Sequence, residues 1–196
     1  MKNGAVLIAT ALLVSLAFVA LCFASENPVI TLERIEVASI QPYFVNPRVN
    51  YKDEKEPGEV YKNGAMLSMA YIFSIKNPGK APIMLDELTF STAFEGFEIN
   101  TVFAYEDIWI PAGKTNQLKV ISTNETAATI GSLSVGADNV QKMQEMKVKA
   151  PDLVKKWWEN VGDFSFPIEV TAGTALFKDE KGKEIRVTFS DKWPKK

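Results

Sequence analysis

The chain has 196 residues, 22 Lys+Arg against 24 Asp+Glu, one Cys and no His. Without imidazole there is no Ser-His-Asp or Cys-His nucleophile pair and no histidine metal site, and the lone Cys22 provides neither an intramolecular disulfide nor a thiolate cluster. A formal charge of -2 gives no global bias toward nucleic acid, and 46% hydrophobic residues suit a globular rather than a disordered chain.

Residues 4–24, GAVLIATALLVSLAFVALCFA, are uncharged, preceded by Lys2 and followed by Glu26. This order, positive then apolar then polar, is that of a secretory signal, and Cys22-Phe23-Ala24 places small residues for cleavage between Ala24 and Ser25. The run is also long enough to span a bilayer as an uncleaved helical anchor, which needs roughly 20 residues. A third alternative, a lipid on Cys22, fits poorly with bulky Leu21 before it. All three send residues 25–196 out of the cytoplasm, as a single domain that is either secreted, periplasmic or held at the outer face of the membrane.

Residues 29–40, VITLERIEVASI, alternate Ile30, Leu32 and then Ile35, Val37 with polar side chains, the period of a strand with one wet face. Pro42 and Pro47 restrict 43–51 to an edge or to short pieces. The charged stretch 52–64 has Pro57-Gly58 and Asn63-Gly64 and reads as a loop. Residues 65–76 form the most apolar strand, with Leu67, Met69, Tyr71, Phe73 and Ile75 on one face. Pro78-Gly79 then fits the centre of a type II turn. Returning strands are expected over 83–94, 97–105 and 117–122, with Glu95-Gly96 as a tight connection and an irregular stretch ending at Ile110-Pro111-Ala112-Gly113-Lys114.

From Thr126 to Gly162 the period changes. One helix is compatible with Val140, Met143 and Val148; a second opens at Ala150-Pro151-Asp152 and is terminated by Gly162. Strands follow over 164–177 and 184–190, linked at 179–182. About seven strands at short intervals, with helices not alternating with them, predict an all-β antiparallel sandwich carrying a helical insertion near 138–161 and an N-terminal apolar helix.

Phe73-Ser74-Ile75-Lys76-Asn77-Pro78-Gly79-Lys80-Ala81-Pro82-Ile83, Leu85-Asp86-Glu87-Leu88-Thr89-Phe90 and Ile110-Pro111-Ala112-Gly113-Lys114-Thr115 resemble the late embryogenesis abundant type 2 group, or WHy (water stress and hypersensitive response) domain, in its prokaryotic and archaeal form. In that family a strand ends at an Asn-Pro turn, matched here by Asn77, Pro78 and Gly79, and an Ile-Pro-Ala-Gly step, matched by Pro111 and Gly113, leads into a later strand. The resemblance spans roughly 30–190 and includes Lys156-Trp157-Trp158. It implies an immunoglobulin-like or fibronectin-III-like sandwich and an association with stress protection; it implies no catalytic residue, no cofactor and no metal.

The candidate sites are few. Asp86-Glu87, Glu106-Asp107 and Asp53-Glu54 with Glu56 are carboxylate groups of the kind used for calcium or glycoside hydrolysis. Adjacent strand residues face opposite sides, however, and no Asp-x-Asp-x-Asp-Gly loop is present, so solvated charge is the plainer reading. Trp109, Trp157, Trp158 and Trp193, with Tyr43, Tyr51, Tyr61 and Tyr105, are either a platform for sugars or a partner, or core packing; on a helix Trp157 and Trp158 are about 100° apart, so one is expected buried and the other partly exposed. Lys155-Lys156 and Lys192, Lys195, Lys196 offer contact with an anionic membrane, or simply a solvated helix face and tail. Asn124-Glu125-Thr126 is a glycosylation sequon, expected in a loop. The expectation is a non-enzymatic exported module that docks a protein partner or envelope assembly by a sandwich face or sheet edge, with a carbohydrate-binding or carbohydrate-active envelope protein as the alternative.

Overall fold

The computed structural model describes residues 27–45 and 64–195. The signal or anchor at 4–24 with its Ala24–Ser25 junction, the acids Asp53, Glu54 and Glu56, the rings of Tyr51 and Tyr61, and Lys196 lie outside the described residues. Among the described residues no helix is long and apolar enough to cross a membrane.

Among the described residues seven strands form two antiparallel sheets. β1 (Val29–Ile40), β2 (Met66–Lys76) and β5 (Thr115–Glu125) make a three-stranded sheet in the order β1-β2-β5. β3 (Ile83–Phe94), β4 (Phe97–Ile110), β6 (Ile168–Asp179) and β7 (Glu184–Trp193) make a four-stranded sheet in the order β4-β3-β6-β7. The two sheets meet through inward aromatics: Tyr71 and Phe73 of β2 stack edge-on against Phe90 of β3 at 5.2 and 5.3 Å, and Phe73 reaches Phe189 of β7 at 5.6 Å. Central strand β2 is apolar on both faces. Ala70 and Ile72 on its outer side are buried as well, beneath cross-strand neighbours that include Arg34, Lys119 and Ile121, whose longer side chains cover them. On the opposite flank, Thr92 donates to Asn100, and Asn100 Nδ2 donates to Ser122 Oγ at 2.9 Å, so one polar chain ties β4 to β5 across the gap between the sheets.

Three helices, rather than two, follow β5: α1 (Thr126–Val135), α2 (Ala137–Met146) and α3 (Ala150–Asn160). The helical stretch therefore starts twelve residues before the expected 138. α1 is hard to read because Thr, Gly and Ser dilute its apolar face; what holds its start is Glu125, whose carboxylate accepts from the amides of Ala127 and Ala128 at 3.1 and 3.0 Å. α3 opens as expected with Pro151 in its first turn and Asp152 at its positive end. It ends at Asn160 rather than Gly162, which lies inside a 3-10 turn over Val161–Asp163, and Phe164 takes the left-handed φ of 47°. The following strand starts at Ile168, later than expected, because residues 164–167 are spent on that turn and Pro167.

The helices close one end of the sandwich, and a staple at the β3–β4 turn holds α3 there. β3 and β4 are joined by the two-residue turn Glu95-Gly96, with φ of 51° and 76°, the type I′ pattern that matches strand twist. A left-handed Glu costs roughly 1–2 kcal/mol of backbone strain. Its carboxylate offsets that by accepting from Lys156 Nζ at 2.7 and 2.8 Å and from Trp157 Nε1 at 2.9 Å, both on α3. Partial burial pushes the Glu95 carboxyl up, but these hydrogen bonds and the charges of Lys156 and Lys142 outweigh it and hold the group below its ordinary value of 4.5. A folded value below the unfolded one stabilises above the unfolded value and is lost as pH falls through the folded one. Glu95→Gln is therefore expected to cost about 1–2 kcal/mol at neutral pH, and the difference from the wild type in denaturant melts to shrink once the pH drops below 4.5.

Candidate functional site

Asn77 and the 110–114 turn, far apart in sequence, form one knot. Asn77 is buried; its Nδ2 donates to the carbonyls of Ala81 and Ile110 at 2.8 and 3.0 Å, its Oδ1 accepts from the Gly79 amide at 2.9 Å, and its own amide donates to the Lys114 carbonyl at 2.9 Å. The Asn77 side chain, not a type II turn at Pro78-Gly79, thus organises this connection: among the described residues the glycines with positive φ are Gly96, Gly113 and Gly182. The type II geometry lies instead at Pro111–Lys114, where Gly113 has φ of 67° and Lys114 donates to the Pro111 carbonyl at 3.1 Å. Asn77, Pro78, Gly79, Pro111 and Gly113 are thereby a structural joint between the two sheets.

Asn124 is not in a loop. It lies in β5 opposite Leu67, is 5% exposed, and its side-chain amide has no hydrogen-bond partner among the described residues. Strand β5 runs to Glu125, three residues beyond the expected end, and takes the sequon with it. Trp157 and Trp158 are 0% and 3% exposed, so neither projects to solvent. α3 is packed against the aromatics flanking the β3–β4 turn, which hold Trp157, and against α1. Trp193 packs edge-on against Phe164 at 6.4 Å, and Tyr43 donates to the Pro151 carbonyl at 3.4 Å. Of the basic candidates, Lys155 faces Glu159, Lys156 faces Glu95 and Lys195 faces Asp191, leaving exposed Lys192.

The remaining candidates converge on the outer face of β3 and β4. β4 runs to Ile110, so the stretch after Tyr105 is strand rather than irregular chain. Phe103, Tyr105 and Trp109 stand on that face 59%, 72% and 51% exposed. Their cross-strand neighbours are Thr89, Glu87 and Met84. Two irregularities produce this arrangement. Ile99 is an extra residue between the Asn100–Thr92 and Glu98–Ala93 pairs, so odd positions that face the core at Phe97 and Ile99 face water at Phe103 and Tyr105. Asp86 is extra between the Leu85–Phe177 and Glu87–Leu176 pairs, so Leu85 and Leu88 both point inward while Asp86 and Glu87 both remain part-exposed between them. The rule that adjacent strand residues face opposite sides fails here because of this bulge. Glu106 and Asp107 lie opposite it on β4, also exposed.

Lys178 of β6 meets Asp86 at 2.9 Å. That hydrogen bond holds the ammonium charged above its ordinary range; partial desolvation opposes it, and the charges of Asp86, Glu184 and Asp107 add to it. Thr89 donates to Glu87 at 3.0 Å. β4 is an edge strand. Its far side is capped at two points, by Asn139 Nδ2 on the Glu98 carbonyl at 2.8 Å and Asn116 Nδ2 on the Trp109 carbonyl at 2.9 Å. Between these caps no strand of the described residues pairs with it. An open cleft of about 490 Å³, formed by Asn100 and Thr101 with Ser132, Val135 and Asp138, continues this edge toward the α1–α2 junction. Among the described residues no group of three or more acidic or Cys side chains is placed to hold a metal. Phe103 is the member of the face that sequence reasoning missed: its alternation with Phe97 and Ile99 marks it as core, and only the bulge reverses that.

No protein-family model and no curated protein matches the chain. Among solved structures, an Arabidopsis thaliana protein is 12% identical, with 87% of this chain and 85% of that one covered at a TM-score of 0.41. A protein from Archaeoglobus fulgidus is 10% identical over 85% and 98% of the two chains, at 0.38. A structure described provisionally as a late embryogenesis abundant protein is 13% identical over 98% and 87%, at 0.35.

Proposed function

We propose that this chain is a non-enzymatic binding module of the extracytoplasmic space, secreted or tethered by residues 4–24, with an immunoglobulin-like sandwich of the type 2 late embryogenesis abundant (WHy) kind as its scaffold. The carrying observation is the exposed row Phe103, Tyr105 and Trp109 on an open sheet edge. Large apolar rings grouped on one surface cost solubility unless something covers them, which is why such patches mark interaction sites. The scaffold assignment is supported by the Asn77 knot, which joins two of the three motif segments that carry the family resemblance.

Fractionation of cells making the full chain tests both halves. The reading expects the chain outside the cytoplasm, starting at Ser25 or Met1, and retained in an envelope complex that Tyr105→Ala with Trp109→Ala releases. A cytosolic chain, or a double variant with unchanged retention, rejects it. The second reading, a glycan-binding envelope protein, is favoured by Trp109 and Tyr105 standing beside Asp86, Glu87, Glu106 and Asp107. Retention on glycans that survives neutralising all four acids would reject that version.

A further inference from the structure

We propose that the free edge of β4 takes up an extended polypeptide segment bearing lysine or arginine, which adds to the four-stranded sheet as a fifth strand. This rests on the binding-module reading and names its partner.

Charge selects the occupant. From Ala81 to Gly113 the sequence contains six acids and no Lys or Arg. Four of the six, Asp86, Glu87, Glu106 and Asp107, flank the aromatic row, and the cation that enters this face from β6, Lys178, is held by Asp86. Glu87, Glu106 and Asp107 have no basic partner among the described ion pairs, so the face presents carboxylates beside open aromatic rings. Aromatic faces attract cations, arginine more often than lysine, and carboxylates hold them. A neutral glycan would use the rings and offer the acids hydroxyl donors but no opposite charge, and nucleic acid or an anionic lipid would be repelled. A second copy of this edge is disfavoured too, because antiparallel β4–β4 pairing sets acids against acids.

Backbone geometry selects the extended form. No described strand pairs with the edge between the Asn139 and Asn116 caps, where the Asn100–Ser122 side-chain bond is the link to β5, and its ring-bearing positions Phe103 and Tyr105 are two residues apart. A partner strand projects alternate side chains on one face with the same repeat of about 7 Å, so cations at every second position meet the row in register. Unpaired backbone groups supply affinity, while rings and acids supply selectivity. The two carboxylates at the Glu106–Asp107 irregularity also guard the edge against apolar strands of other chains, which turns a common aggregation hazard into a charge filter.

The experiment titrates the full chain with three short labelled peptides of alternating pattern, Lys-Val, Ser-Val and Glu-Val, and with a soluble β-linked oligosaccharide. The readouts are peptide anisotropy and the emission of exposed Trp109, with Trp109→Phe as the blank. The Lys-Val peptide is expected to bind, more weakly at higher salt, and to protect amides near Tyr105 from exchange. Tyr105→Ala, and separately Glu106→Gln with Asp107→Asn, are expected to weaken it about tenfold. Both sites are exposed, so the variants should melt like the parent. Alternate N-methylation of the peptide should abolish binding. Equal binding of Ser-Val, insensitivity to the acid pair, or indifference to N-methylation overturns the inference. Capture of the oligosaccharide alone, lost in Tyr105→Ala, overturns the peptide partner and leaves the binding-module reading standing. A dimer that Tyr105→Ala dissociates replaces the partner with a second copy. If no probe moves Trp109 or the β4 amides and the chain stays monomeric, both readings fall.

Discussion

Trp157→Ala is expected to destabilise the protein by about 3–5 kcal/mol, a fall in melting temperature on the order of 10 °C. The ring is fully buried at the junction between the helices and the sandwich. It contacts Phe94 edge-on at 5.5 Å, Phe97 at 5.9 Å and Phe166 at 6.4 Å, so its removal opens a cavity lined by aromatic rings that cannot all collapse into it. Its Nε1 also donates to Glu95 at 2.9 Å. Trp157→Phe separates the two contributions: it keeps most of the ring packing, loses the charged hydrogen bond, and should cost about 2 kcal/mol. Combined with Glu95→Gln the losses should fall short of additive, because both substitutions remove the same charge-assisted hydrogen bond. Chemical denaturation monitored by circular dichroism is the measurement; full additivity would mean that the staple is not a single unit.

The second large effect lies at Asn77. Asn77→Ala leaves the Ile110 carbonyl without its partner in a buried place, and the part-buried Ala81 carbonyl and Gly79 amide without theirs. Stranding buried polar groups costs more than the bonds themselves contribute, so a loss of about 2–4 kcal/mol is expected. Asn77→Asp is the sharper probe. Its shape is nearly unchanged and it still accepts from Gly79, yet it sets a carboxylate against two carbonyl oxygens. The native environment must raise the pKa of such a group. Its protonated form then donates one of the missing bonds, so the variant should be most stable below the ordinary Asp value of about 3.9 and lose that advantage as the pH rises through the raised value. Indifference of Asn77→Asp to pH would show that the side chain does not make these contacts.

Particular residues show why some of this was legible in the residue order. Leu67 to Ile75 carry a bulky apolar side chain at every second position, the period of a strand, and Pro151-Asp152 mark the start of α3 because both report local backbone chemistry. The Asn-Pro and Pro-Ala-Gly segments announced turns but not that one side chain, Asn77, would lock them together across 33 positions. Trp157 and Trp158 promised one exposed face; both are buried, because α3 packs against the aromatics around the β3–β4 turn as well as against α1, an arrangement their spacing does not record.

The face proposed for binding divides along the same line. Its chemistry, acids in a segment from Ala81 to Gly113 that holds no Lys or Arg and rings near Trp109, is a property of the amino-acid order, and so are the strand-rich composition and the apolar run at residues 4–24. Its assembly is not. Bulges at Ile99 and Asp86 shift side chains from one face to the other, and their positions depend on how β3 registers against β4 and β6 at once. Periodicity reports which residues alternate within a strand; which of the two faces meets water is settled when the second sheet takes the other.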